Sequence, residues 1–221
     1  MLADSLGLSP LTTDAQISSH LKKVVEENDT PFGFLVQTGR YGRLKNGRLD
    51  GPGLHARGDN DNALWMMANP DWATLSIWRD GPTEEALAMA EKTLGWWRSE
   101  INDMWNVVAV GGGLESGVEG QPLANSHYGY HMVMWHTVFA LSGQHWDADS
   151  QALSFKPKVP SPFRLPVLLP GTVALLASDT AGLSLTVVAG KPVTLSQLAV
   201  GGRQAPTLPK TLGVGQSVHW Q

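Results

Sequence analysis

At 221 residues, 42% of them hydrophobic and 16% charged, the chain can bury a core as one large domain or two small ones. A formal net charge of -4 removes the attraction that nucleic acid or an anionic membrane surface would need, so neither is expected as a partner. The absence of cysteine excludes disulfides, thiolate metal sites and a cysteine nucleophile. Apolar runs are short and broken by Pro or Gly, so no transmembrane segment is read. The N-terminus MLADSLGLSPLTTD has neither a basic n-region nor an apolar h-region, so no signal peptide is read and the cytoplasm is the preferred compartment. Nine tryptophans suit either a heavily packed helical core or a platform for flat sugar faces.

Before residue 152 the apolar spacing is helical. Over 14–29, Ile17, Leu21, Val24 and Val25 form one stripe with charges opposite. Over 82–101, Leu87, Ala90, Leu94, Trp97 and Ile101 share a face, with Glu84 and Glu85 in the first turn. Both predict outer, half-exposed helices. The stretches 62–78 and 127–142 are apolar nearly all round and predict buried helices, the second ending at Gly143 as its C′ residue. Pro70 either kinks the first of these or starts its main part with Asn69 as N-cap. Alternation of amphipathic and all-apolar helices is the pattern of concentric helical layers, as in an α/α barrel, and a plain helical bundle also fits.

After residue 152 the apolar period becomes two. Leu183, Leu185, Val187, Val193 and Leu195 fall on one face, with Ala189-Gly190-Lys191-Pro192 as a turn. The segments 163–170, 171–178 and 196–200 read as further short strands between Gly, Pro and Asp-Thr-Ala-Gly punctuation. The expected fold is mainly α with a β tail. Residues 1–152 would be the helical part and 153–221 a small antiparallel β segment of four to six strands.

Polar residues gather in three places. Asn125, Ser126, His127 and Tyr128 stand at the start of an all-apolar helix, where Asn and Ser serve as caps or the whole group meets a ligand. His127 and His131 share a helix face, but a metal site wants a third ligand, Tyr128 follows His127, and His136 lies on another face, so no metal is assigned. Asp59 and Asp61 fit an acid/base pair, a hard-cation site or a loop with an N-cap. With His127 and His131 they would make the metal set of an unrelated hydrolase. Glu100, Asp103 and Trp105 fit a cleft lining or the exposed end of an outer helix. Gly111–Gly113 lacks the spacing of a phosphate loop.

Five segments, in this order, resemble the C-terminal part of glycoside hydrolase family 116, the β-glucosidases that include non-lysosomal glucosylceramidase, also called bile-acid β-glucosidase. They are LADSLGL, NDTPFGF, GDNDNALWMMANPDWATLSI, EEALAMAEKTLGWWRSEINDMWN and ANSHYGYHMVMWHTVFALSGQHWDADSQALSFKP. The resemblance implies part of an (α/α)6 barrel of the six-hairpin glycosidase type, and a retaining β-glycosidase with a nucleophilic Glu and an acid/base Asp about 5 Å apart. No residue here matches either carboxylate. The resemblance puts both upstream of Met1, so no catalytic residue is assigned, and the missing N-terminal part of the same protein is the expected partner. A full barrel takes twelve helices, and some 150 residues supply about six at ordinary element lengths.

What this piece would supply is contact with the sugar of a β-glycoside or glycolipid, without a cofactor. Aligned on His127-Tyr128, Gln121 stands where the family has a Glu and Tyr130 where it has an Arg, the two that hold glucose hydroxyls. Both depart from the glucosidase pattern, and an Arg replaced by Tyr loses a bidentate charged donor. Asn125, His127, Tyr128, Asp61 and Trp105 complete the expected substrate-binding set. A non-catalytic carbohydrate-binding or scaffold protein is the alternative that keeps the same residues.

Overall fold

The computed structural model describes residues 8, 11–36, 63–101, 110–113, 119–124, 133–206 and 208–221. Among these, 34% are helical and 37% lie in strands. This overturns the mainly α expectation, and no α/α barrel is present among the described residues. The misreading has a physical cause. Several strands are only two to four residues long, too short for a period of two to stand out from a helical one. The chain divides into two compact units, Thr12–Met134 and Trp135–Gln221, the latter grouped with Met1–Leu11.

In the first unit, α1 (Asp14–Asn28) starts at a capping box. The Gln16 amide donates to the Thr13 hydroxyl at 3.2 Å, and the Thr13 amide donates to the Gln16 side-chain oxygen at 3.0 Å. The stripe Ile17, Leu21, Val24 and Val25 is the half-buried face, and no residue of α1 is fully buried. A hairpin of β1 (Asp29–Thr30) and β2 (Gly33–Phe34) follows.

The apolar run 62–78 does not form one helix. It begins as β3 (Ala63–Trp65), turns, and continues as α2 (Ala68–Trp78). Pro70 sits in the first turn, where a missing N–H leaves no bond unmade. Asn69 is not the cap, because Met67 holds that position and makes no side-chain cap bond. No residue of α2 is exposed, in keeping with a helix apolar all round.

Asn69, wholly buried, ties three elements together. Its side-chain oxygen accepts from the Phe34 amide at 2.8 Å and from the Thr93 hydroxyl at 3.0 Å. Its amide group donates to the Met89 carbonyl at 2.8 Å. Thr93 and Met89 belong to α3 (Thr83–Trp96), which runs on into one π-helical turn, Trp97–Ile101. β3 pairs with β4 (Val110–Gly112), and β4 with β5 (Pro122–Ala124), both antiparallel.

The second unit opens with α4 (Met134–Ser142). It ends as predicted at Gly143, whose φ of 57° places it in the left-handed region. The Gly143 and Gln144 amides reach back to the Ala140 and Phe139 carbonyls at 3.2 and 3.3 Å, closing the helix end. A Cβ on Gly143 would lie 2.3 Å from the Lys156 carbonyl oxygen, so glycine is required on space as well as on φ. The expectation of burial on every side does not hold here, since Trp135 is 51% exposed.

The strands then are β6 (His145–Asp147), β7 (Ala152–Phe155), β8 (Phe163–Leu169), β9 (Thr172–Asp179), β10 (Gly182–Gly190), β11 (Val193–Leu195), β12 (Gln197–Val200), β13 (Arg203–Gln204), β14 (Lys210–Leu212) and β15 (Ser217–Trp220). They are not one small antiparallel sheet. The orders are β15-β10-β9-β8, β13-β12-β7-β6 and β11-β14, and β7 runs parallel to β12. The segment 189–192 is no hairpin turn, because β10 and β11 belong to different sheets. The alternating face read from sequence does enter the core. Leu183, Leu185, Val187, Val193 and Leu195 are all buried, alongside Leu176, Leu198 and Leu212.

Candidate functional site

Of the residues expected to bind sugar, Gln121 lies within the described part. Asp61, Trp105, Asn125, His127, Tyr128 and Tyr130 lie outside the described residues, as do Asp59 and His131.

Gln121 precedes β5 and is exposed. Its backbone is held on both sides. The Gly112 amide donates to the Gln121 carbonyl at 2.9 Å, and the Gly120 amide donates to the Gly112 carbonyl at 2.7 Å. Beneath it, Phe32 and Trp96 meet edge to face with ring centroids 4.5 Å apart. The Trp96 indole donates to the Gly120 carbonyl at 3.2 Å. Gly120 has φ of 68°, and a Cβ there would come within 2.9 Å of both rings, so the close approach depends on glycine. The result is an exposed carboxamide on a backbone pinned to an aromatic pair. A carboxamide both donates and accepts, which matches vicinal hydroxyls. Sequence reasoning named Gln121 but missed Phe32 and Trp96, which are 64 residues apart and share no local pattern.

A cleft of about 530 Å³ lies between α1 and the α2–α3 corner, and sequence reasoning missed it as well. Leu21, Val25 and Trp72 supply its apolar wall, with Asp14, Arg79 and Glu85 among its charged residues. The Trp72 indole donates to the Leu21 carbonyl at 2.9 Å, and Arg79 meets Asp14 at 2.8 Å. The Asp14 side chain is 84% exposed against 18% for Arg79, so this pair is largely screened by solvent. Each contact has a plain role in holding α1, whose apolar stripe is only half-buried. No group of three His, Asp or Glu able to hold a metal occurs among the described residues.

Among the described residues the resolved shift in acidity is that of Asp147, the last residue of β6 before the turn to β7. The Ser150 hydroxyl, donating at 2.6 Å, and the Ser150 and Asp149 amides hold its carboxyl below the usual aspartate value. These bonds shape the turn. No described helix is long and apolar enough to cross a membrane.

No protein family matches the chain, and no curated protein does. Among solved structures the chain is similar to a protein provisionally named a kojibiose phosphorylase, from the human microbiome. The TM-score is 0.36 and the identity 10%, over 71% of this chain and 20% of that one. The chain thus spans about a fifth of that protein's length. A likeness this loose assigns neither a fold nor an activity to the chain.

Proposed function

We propose that the chain contributes the sugar-binding side of the cleft of a retaining β-glycosidase, of the β-glucosidase and glucosylceramidase kind. The observation that carries this reading is the ordered resemblance to glycoside hydrolase family 116, strongest over 124–157. The setting of Gln121 supports it, an exposed carboxamide on a backbone braced by Phe32 and Trp96. In this reading Gln121 and Tyr130 meet sugar hydroxyls and a ring face, and Asn125, His127, Tyr128, Asp61 and Trp105 line the same site. The nucleophile and acid/base have no counterpart in the chain, so its contribution is recognition and not bond cleavage. The substrate class is a β-glycoside or the sugar of a glycolipid.

The test is glucose-analogue binding by the native protein and by Gln121→Ala and Tyr130→Ala. A neutral hydrogen bond is worth about 0.5–1.5 kcal/mol, so each substitution should weaken binding several-fold. Unchanged affinity in both variants would overturn the assignment.

A further inference from the structure

We propose that the cleft between α1 and the α2–α3 corner binds a small organic cation, an amine head on an apolar body. This site is separate from the sugar-binding reading and does not rest on it. Its wall is preset. The Trp72 indole donates to the Leu21 carbonyl at 2.9 Å, and its ring meets that of Phe34 with centroids 5.7 Å apart. Trp72, Leu21 and Val25 thus offer a fixed apolar surface in a space of about 530 Å³, enough for a small ligand.

At the α2–α3 end stands a hydroxyl that the fold does not use. Ser76 lines the cleft and is only 5% exposed, yet its Oγ makes no hydrogen bond within the chain. A buried polar group without a partner calls for one from outside the chain. Gly81 keeps that position open, since a Cβ there would overlap Ser76 Oγ. The corner itself is fixed by the Gly81 amide, which donates to the Ser76 carbonyl at 2.9 Å. In the first turn of α3, Glu85 lines the same cleft and is exposed, and its carboxylate has neither an ion pair nor a hydrogen bond.

Charge decides the class of ligand. The other charges of the cleft are matched, Arg79 with Asp14 at 2.8 Å and Lys22 with Glu26 at 3.6 Å. What is left over is one carboxylate and one hydroxyl, both acceptors for an ammonium head. An anion finds no unmatched cation among the lining residues. A sugar would press several hydroxyls against Leu21, Val25 and Trp72, where they gain no partner. A single charged head on an apolar body suits both parts of the cleft, and the face of Trp72 itself attracts a cation.

The 221-residue chain is titrated with phenethylamine, which is charged at neutral pH, and separately with its neutral isostere phenethyl alcohol and with methyl β-glucoside. The Trp72 indole N–H is followed by NMR. The expected result is a saturable shift with the amine at about 10 mM or below, binding at least about fivefold weaker for the alcohol, and no shift with the glucoside. Ser76→Ala and Glu85→Gln each remove a group that makes no bond in the fold. Both variants should therefore keep the native spectrum while weakening amine binding by about threefold to tenfold. Glu85→Gln should also remove most of the salt dependence of that binding. Glu85, being exposed, carries the test by itself if Ser76→Ala alters the spectrum. No saturable shift, equal binding of amine and alcohol, tighter binding of the glucoside, or an amine affinity untouched by Glu85→Gln would overturn the proposal.

Discussion

The two units of the chain are held together by different means. In Trp135–Gln221 the strands of three sheets send alternate residues into one apolar core, in which Leu176, Leu185, Leu195 and Leu212 are wholly buried. Each such leucine contributes about 1.5–3 kcal/mol through burial. In Thr12–Met134 one described apolar cluster is Leu64, Met66 and Trp97 with partly buried neighbours, Phe34 and Ile77 are buried as well, and α1 buries no residue fully. There, single polar contacts also join elements that are distant in sequence: Asn69 to three groups, Trp72 to Leu21, Lys92 to Asp29 at 2.6 Å. A packed core loses stability by area, whereas a pinned assembly loses it by individual bonds.

The strongest way to break that contrast is Leu185→Ala. Leu185 is wholly buried at the centre of the β10 pairing, and truncation should cost about 2–5 kcal/mol, read by urea unfolding followed on strand amides. A loss below about 1 kcal/mol would mean the core is loosely packed after all.

Next comes Asn69→Ala, which leaves the Phe34 amide and Met89 carbonyl without their partner. The expected loss is about 1–3 kcal/mol, with faster hydrogen exchange concentrated in β2, α2 and α3. Exchange that rises equally across β8–β10 would contradict pinning as a property of the first unit.

The smallest effect is expected at Asp147, which sharpens the same point for an exposed contact. Its carboxyl titrates below the usual aspartate value because of Ser150 and Asp149. A depressed folded pKa gives a contribution that is present above the unfolded value and fades as pH falls through the folded one. An NMR titration of Asp147 should show a midpoint below 3.8, moving up toward that value in Ser150→Ala. A midpoint unmoved by that substitution would remove Ser150 as the cause.

Much of the local structure was legible. The 3.6-residue period marked α1 and α3, Gly143 was read as the end of α4, and the period of two marked the buried face of β10 and β11. The larger architecture was not legible. The stretch 62–78 read as one buried helix because nothing local distinguishes Ala63–Trp65, which becomes a strand only by pairing with Val110–Gly112. Asn69 beside Pro70 looked like a cap, yet its bonds go to residues 35 and 24 positions away. The mainly α expectation failed for the same reason, since short strands owe their existence to distant partners.

By itself, then, the sequence determined which face of each segment is apolar, where helices can start and stop, and which residues are candidates for meeting a sugar. These follow from the backbone geometry of single segments, which sets a period and a cap chemistry independent of the rest of the chain. Tertiary structure alone decided that β7 runs parallel to β12, that β10 lies between β9 and β15, that Gly120 rests on Phe32 and Trp96, and that the Gln144 side chain bonds both backbone groups of Leu168. Those are contacts across long sequence separation, where many pairings satisfy the same local pattern and packing selects one.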